Sequence, residues 1–213
     1  MHNKKITIID YGCGNILNLI RAIKFIGYEV EVTHEKNKII NSSYLILPGV
    51  GAFGNAMKQI EKYNLQDIIL EYVKSNKPLL GICLGMQILF TASHEFGFHK
   101  GLGLIEGEVI KISNKKNNEI KIPHMGWNEI YPKDNNGEWR NKILQNPLIG
   151  KSFYFVHSFI CLTKNSNSTI AVCNYSDISI PAVVANGNVF GCQFHPEKSG
   201  ENGIKILKSF CEI

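Results

Sequence analysis

The stretch that most constrains this chain is Leu79-Leu80-Gly81-Ile82-Cys83-Leu84-Gly85-Met86-Gln87-Ile88-Leu89-Phe90, entered through Lys77-Pro78. Its first half is a short apolar run behind a proline and reads as a buried strand. Its second half carries Leu84, Gln87, Ile88 and Thr91 at helical spacing, so the chain must turn sharply at Cys83. Gly-x-Cys-x-Gly is therefore read as a strand-to-helix elbow. The central residue is strained and exposed, and glycines two positions to either side remove side chains that would collide across the turn. Cys83 then stands at a helix N-terminus, where unpaired N–H groups favour the charged form of a sulfur nucleophile. The plainer reading, a small buried hydrophobe, describes most free cysteines but gives the two glycines no purpose.

The first half of the chain alternates strands with helices. Lys5–Asp10, Tyr28–Thr33 and Tyr44–Leu47 read as strands, followed by Leu79–Ile82. Between them, Ile16, Leu19, Ile20, Ile23 and Ile26 form one face of a helix that stops at Gly27, and Ala52–Tyr63 and Gln66–Ser75 are also helical. This alternation implies an α/β fold with a mostly parallel sheet covered on both faces, whose site lies at the carboxyl ends of the strands. Pro48-Gly49-Val50-Gly51 sits at such an end and is expected beside Cys83.

After about residue 104 the pattern changes to short strands and turns, so a smaller antiparallel β region is expected in the second half. Leu104–Ile112, Trp127–Tyr131, Phe153–Val156, Ser168–Tyr175 and Pro181–Phe194 are the candidates. Asn186-Gly187 is placed at the tip of a hairpin, in a type I′ turn. Ser113–Glu119 and Lys133–Glu138 read as surface loops, and Gly200–Phe210 as a closing helix with Ile204, Leu207, Phe210 and Cys211 on its core stripe.

Composition narrows the functional classes. With 213 residues, 44% hydrophobic and 19% charged, the chain can bury one core as a single domain over residues 1–213. No apolar run reaches the roughly 18 residues that span a bilayer, and Met1–Lys5 runs into a strand, so a cytoplasmic protein without membrane attachment is expected. Six scattered cysteines with no C-x-x-C pair suggest reduced thiols and neither a zinc site nor a disulfide framework. The net charge of +5 forms no basic stripe, which argues against nucleic-acid binding. The glycine turns lack both the Lys-Ser/Thr of a phosphate loop and the third glycine of a dinucleotide fingerprint. Neither a metal nor a cofactor is expected.

A sulfur nucleophile needs a base to take and return a proton, and a group to orient that base. His195-Pro196-Glu197 supplies both, because the proline fixes the backbone between two side chains that can face one site. His195 is then the partner of Cys83, and Glu197 accepts from the other imidazole nitrogen.

Gly81-Ile82-Cys83-Leu84-Gly85-Met86-Gln87 with His195-Pro196-Glu197 resembles the class I glutamine amidotransferase family. Ile9–Gly12, Leu47–Gly51, Gly101–Ile105, Pro123–Asn128, Tyr154–Ser158 and His195–Gly200 extend the likeness nearly end to end, toward those glutaminase subunits of the family that serve histidine biosynthesis. The resemblance implies a flavodoxin-like fold and hydrolysis of glutamine to glutamate and ammonia by Cys83, His195 and Glu197. The oxyanion would be held by backbone N–H groups of Leu84 and of Val50 or Gly51. Gly51, Gln87 and Glu95 would bind the polar ends of glutamine, with His157, Ser158 and Phe159 along the opposite wall. It further implies a heterodimer with a cyclase of (β/α)8-barrel form that receives the ammonia through a tunnel, faced by Met125, Trp127, Asn128, Tyr154 and Lys198. For Trp127 an ordinary core position weighs equally. Three alternatives stay open: a subunit feeding an amino-sugar synthetase, a stand-alone γ-glutamyl hydrolase, and a silent interaction module, which would have lost one of Cys83, His195 or Glu197.

Overall fold

The computed structural model describes residues 5–113, 120–133, 139, 141–145 and 148–213. The loops expected at 113–119 and 133–138 fall almost wholly outside the described residues. The first half runs β1 (Lys5–Ile9), α1 (Ile16–Phe25), β2 (Glu29–Thr33), α2 (Lys36–Ile40), β3 (Tyr44–Gly49), α3 (Phe53–Lys62), α4 (Leu65–Lys74), β4 (Leu79–Cys83) and α5 (Leu84–Ile88). Strands β2, β1, β3 and β4 lie side by side and parallel, as the alternation requires. Side chains that alternate along these strands feed two cores. Ile6, Ile8, Ile46 and Ile82 meet Leu19 and Ile23 of α1 on one face, while Ile9, Leu45 and Leu47 meet α3 and α4 on the other. Helix α1 ends where expected, since Gly27 supplies a left-handed φ of 88° just past its last turn.

The second half adds β5 (Phe90–Ser93), β6 (His99–Lys100), β7 (Ile105–Lys111), β8 (His124–Pro132), β9 (Ser152–His157), β10 (Phe159–Thr163), β11 (Thr169–Tyr175), β12 (Ile178–Asn186), β13 (Val189–Cys192) and α6 (Gly200–Cys211). Strand β13 joins β4 in parallel, and β12, β11, β8 and β9 continue the same sheet antiparallel. A second sheet, ordered β10-β7-β5-β6, lies against α3, α5 and β12; it is antiparallel except for β5 beside β7. The expected β region thus divides between an extension of the main sheet and this smaller one. Among the described residues no helix is long and apolar enough to cross a membrane.

Three expectations need correction. The helix after Cys83 does not reach Thr91 but stops at Ile88, because the segment 102–105 caps it. Leu102 N–H donates to the Ile88 carbonyl, and Leu104 and Ile105 N–H both donate to that of Leu89, so Phe90 leaves as a strand. The hairpin tip is Gly187-Asn188, since Asn186 pairs with Val189. Of those two residues only Gly187 has positive φ, which excludes a type I′ turn and suits type II′. Finally, β10, β5, β6 and α2 lie in stretches read as helix or connection.

Candidate active site

The elbow is built as the motif demands. Cys83 ends β4 and caps α5 at φ 54°, ψ −110°, a strained backbone for a residue with a side chain. The glycines on either side allow close approach: a Cβ on Gly81 would lie 2.6 Å from the Gly85 carbonyl oxygen, and one on Gly85 would lie 1.8 Å from that of Leu47. Cys83 is only 6% exposed, less than expected, and borders a cleft of about 730 Å³. Its sulfur has two loose polar neighbours, the Val156 carbonyl at 3.9 Å and Gln193 Nε2 at 3.8 Å.

His195 and Glu197 are carried by a tight turn in which Pro196 opens a single 3-10 segment. Backbone clamps hold that turn. His195 N–H donates to the Tyr154 carbonyl, Ser199 Oγ donates to the His195 carbonyl at 2.7 Å, and Tyr154 N–H donates to Ser199 Oγ at 3.0 Å. His195 Nδ1 lies 2.8 Å from Glu197 Oε1, with side chains only 2% and 4% exposed. Burial lowers the proton affinity of the imidazole, but interactions with Cys83 and Glu197 outweigh it and push the pKa up to about 9. His195 Nε2 has no hydrogen-bond partner of normal geometry, which leaves the nitrogen on the nucleophile's side free to move a proton.

The sign of that shift gives an expected result. Cys83 and the carboxylate of Glu197 together keep His195 protonated up to about pH 9; the neutral amide of Glu197→Gln removes the carboxylate's share of that support, so the alkaline limb of the pH–rate profile should move to lower pH. In protease triads, removing the orienting acid costs roughly 10⁴ in kcat against roughly 10⁶ for the nucleophile or base. A glutamine turnover profile of Glu197→Gln with an unmoved alkaline limb would contradict this assignment.

The remaining expected site residues divide. Gly51, Gln87, Glu95, His157, Ser158 and Phe159 all border the cleft. Glu95 is held by one oxygen, Oε2, which accepts from Phe53 N–H at the start of α3 at 2.5 Å, so its charge sits in the cleft wall beside a helix N-terminus. Gln87 Nε2 donates to the Phe159 carbonyl at 3.3 Å and to Gln193 Oε1 at 3.2 Å. With both amide protons used, Gln87 offers a ligand only its acceptor oxygen. Of the expected oxyanion donors, one is committed elsewhere. Leu84 N–H opens α5 beside Cys83, but Val50 N–H donates to the Cys13 carbonyl at 3.0 Å.

Of the proposed partner-facing residues, Met125 and Trp127 are 59% and 56% exposed on the outer face of β8, so Trp127 is not a core aromatic. Tyr154 stacks edge-on to Trp127, and Lys198 Nζ lies 5.8 Å from the Tyr154 ring centre. Asn128 is set apart from them, turned inward against His124. Sequence reasoning assigned no role to Gln193 or Tyr11. Gln193 lay two residues before His195 in the same stretch, whereas the reach of Tyr11 Oη to the Pro48 carbonyl, 2.7 Å, is visible only in three dimensions.

The model of the family described as glutamine amidotransferase class-I matches residues 7–213. The chain belongs to that family. Relatives of this amidotransferase include the imidazole glycerol phosphate synthase subunit HisH 1 of Legionella pneumophila (strain Lens), 42% identical over 210 residues that cover 98% of this chain and 99% of the relative. The subunit HisH of Bacillus cereus (strain G9842) is 48% identical, covering 96% and 93%. Among solved structures, PurLQS from Thermotoga maritima superposes with a TM-score of 0.72 at 21% identity, covering 99% of this chain and 98% of that one, and shares the fold. Among the described residues no group of three or more His, Cys, Asp or Glu side chains is arranged to hold a metal ion.

Proposed function

We propose that this amidotransferase, as one domain, hydrolyses glutamine and passes the ammonia to a cyclase subunit that makes imidazole glycerol phosphate and AICAR from PRFAR in histidine biosynthesis. The chemistry rests on the buried His195–Glu197 pair beside Cys83 at the floor of the cleft. The sulfur of Cys83 attacks the side-chain amide carbon of glutamine, and the C–N bond breaks as His195 delivers its proton to the leaving ammonia. His195, now neutral, takes a proton from water, whose oxygen displaces the sulfur from the γ-glutamyl thioester and releases glutamate. Glu197 holds the ring in one tautomer throughout.

The choice of acceptor is supported by relatives at 42–48% identity over nearly the whole chain, each named as a subunit of imidazole glycerol phosphate synthase. An exposed apolar strand face at Met125 and Trp127, beside Tyr154 and Lys198, suits docking to a (β/α)8 barrel as a heterodimer. Reconstitution with the cyclase and PRFAR tests this reading. Glutamine should support formation of both products. Glutamine-dependent amination of a sugar phosphate by an amino-sugar synthetase, with none by the cyclase, would overturn it.

A further inference from the structure

A line of buried polar side chains runs from β8 to the cleft without passing through His195 or Glu197, and its donors can be ordered from one end. The Phe159 carbonyl has no proton, so His157 Nδ1, 2.8 Å away, donates to it. Burial, against the pull of that carbonyl and aided by His124 and His195, lowers the His157 pKa to about 3, so the ring is neutral and its Nε2 bare. His124 Nδ1, 2.9 Å from that nitrogen, is therefore a donor. His124 is fully buried against the ring faces of Phe155 and Tyr175, and burial lowers its proton affinity despite Asn128. A neutral His124 with its proton on Nδ1 has a bare Nε2, and the Asn128 side-chain amide lies 2.9 Å from it through Oδ1. Two acceptors cannot bond. The line closes once the amide turns over and donates from Nδ2.

The other end of the line is the cleft wall. The Phe159 carbonyl that His157 holds also receives Gln87 Nε2, whose second proton goes to Gln193, and Gln193 in turn lies against the Cys83 sulfur. The bonds from His157 and from Gln87 meet on this one carbonyl, which accepts both.

We propose that Asn128 is a positioning residue for the cleft: by donating to His124 Nε2 it completes the tautomer order that the Phe159 carbonyl imposes on His157 and His124, and so holds His157 on the carbonyl that also receives Gln87. The proposal rests on the glutaminase reading only in naming glutamine as the ligand. Asn128 acts from the inner face of β8, opposite Met125 and Trp127, so the role does not require contact with a partner.

Long-range ¹⁵N–¹H correlation spectra of the histidine rings in the full wild-type chain test the ordering directly. His124 and His157 should each be neutral with the proton on Nδ1, and an Nε2–H form of either ring would overturn the proposal without any variant having to fold. Asn128→Asp can only accept, so it should place a proton on His124 Nε2 and raise the glutamine KM of the reconstituted complex about three- to tenfold, the worth of one neutral hydrogen bond, with a smaller change in kcat. Unchanged ring spectra and KM would overturn it, as would a KM effect that vanishes when the partner is saturating. Absence of glutamine turnover by the wild-type complex would instead count against the glutaminase reading and leave the tautomer result standing.

Discussion

Cys83→Ala is expected to lower glutamine turnover by roughly 10⁶, the loss seen when a triad nucleophile is removed, while the complex still forms and still makes product from added ammonium. The substitution removes the sulfur and little else. Alanine must hold the same left-handed backbone that cysteine already holds at φ 54°, so the elbow gains no new strain. The sulfur takes with it two loose interactions, to the Val156 carbonyl at 3.9 Å and from Gln193 Nε2 at 3.8 Å. The docking face at Met125 and Trp127 lies on another strand, so association should be unaffected. Ammonium bypasses the thioester because it enters at the product of this subunit. Paired assays with glutamine and with ammonium measure both halves of the expectation. Glutaminase activity near the wild-type level in Cys83→Ala would remove Cys83 from the reaction, and loss of the ammonium-driven reaction would mean that the elbow has a structural role in the complex.

The elbow was legible because its chemistry is local. Two glycines flanking one residue between an apolar run and a helical one admit few backbone paths, and the close approaches that a Cβ would make at Gly81 and Gly85 show why. The parallel order of the early strands followed from the same local alternation. What failed depended on distant partners. The helix over 84–91 looked continuous because Thr91 fell on its period, and only the donors of 102–105 end it. Strand β8 was expected to begin at Trp127, which hid its alternation. Begun at His124, the strand reads inward at His124 and Asn128 and outward at Met125 and Trp127, separating the buried histidine line from the exposed apolar face. The carbonyl of Cys13 could not be anticipated at all as an acceptor for Val50, since 37 residues separate them in the chain and only the pairing of β1 with β3 brings them together.

That bond leads to the second large effect. The isolated chain is expected to be a poor glutaminase, stimulated at least roughly a hundred- to a thousandfold by its partner with ligand bound, the range associated with one oxyanion donor. Leu84 N–H opens a helix beside the nucleophile, but Val50 N–H, one of the two candidates for the second donor, points to the Cys13 carbonyl at 3.0 Å and is committed elsewhere. Releasing it requires rotation of the Gly49–Val50 peptide. Gly51, at φ 104° with open space where a Cβ would be, can absorb the change on one side. On the other, Tyr11 Oη grips the Pro48 carbonyl at 2.7 Å and limits how far the rotation spreads. Breaking one backbone hydrogen bond costs about 0.5–1.5 kcal/mol net, a sum that partner binding can supply, whereas the gained donor acts on the transition state alone. Val50 is 42% exposed at the mouth of the cleft, where a docked subunit can reach it. Glutamine turnover measured for the chain alone, with the cyclase, and with cyclase and ligand decides the matter. Full activity of the chain alone would show that the bond to Cys13 holds nothing back and would favour a stand-alone hydrolase.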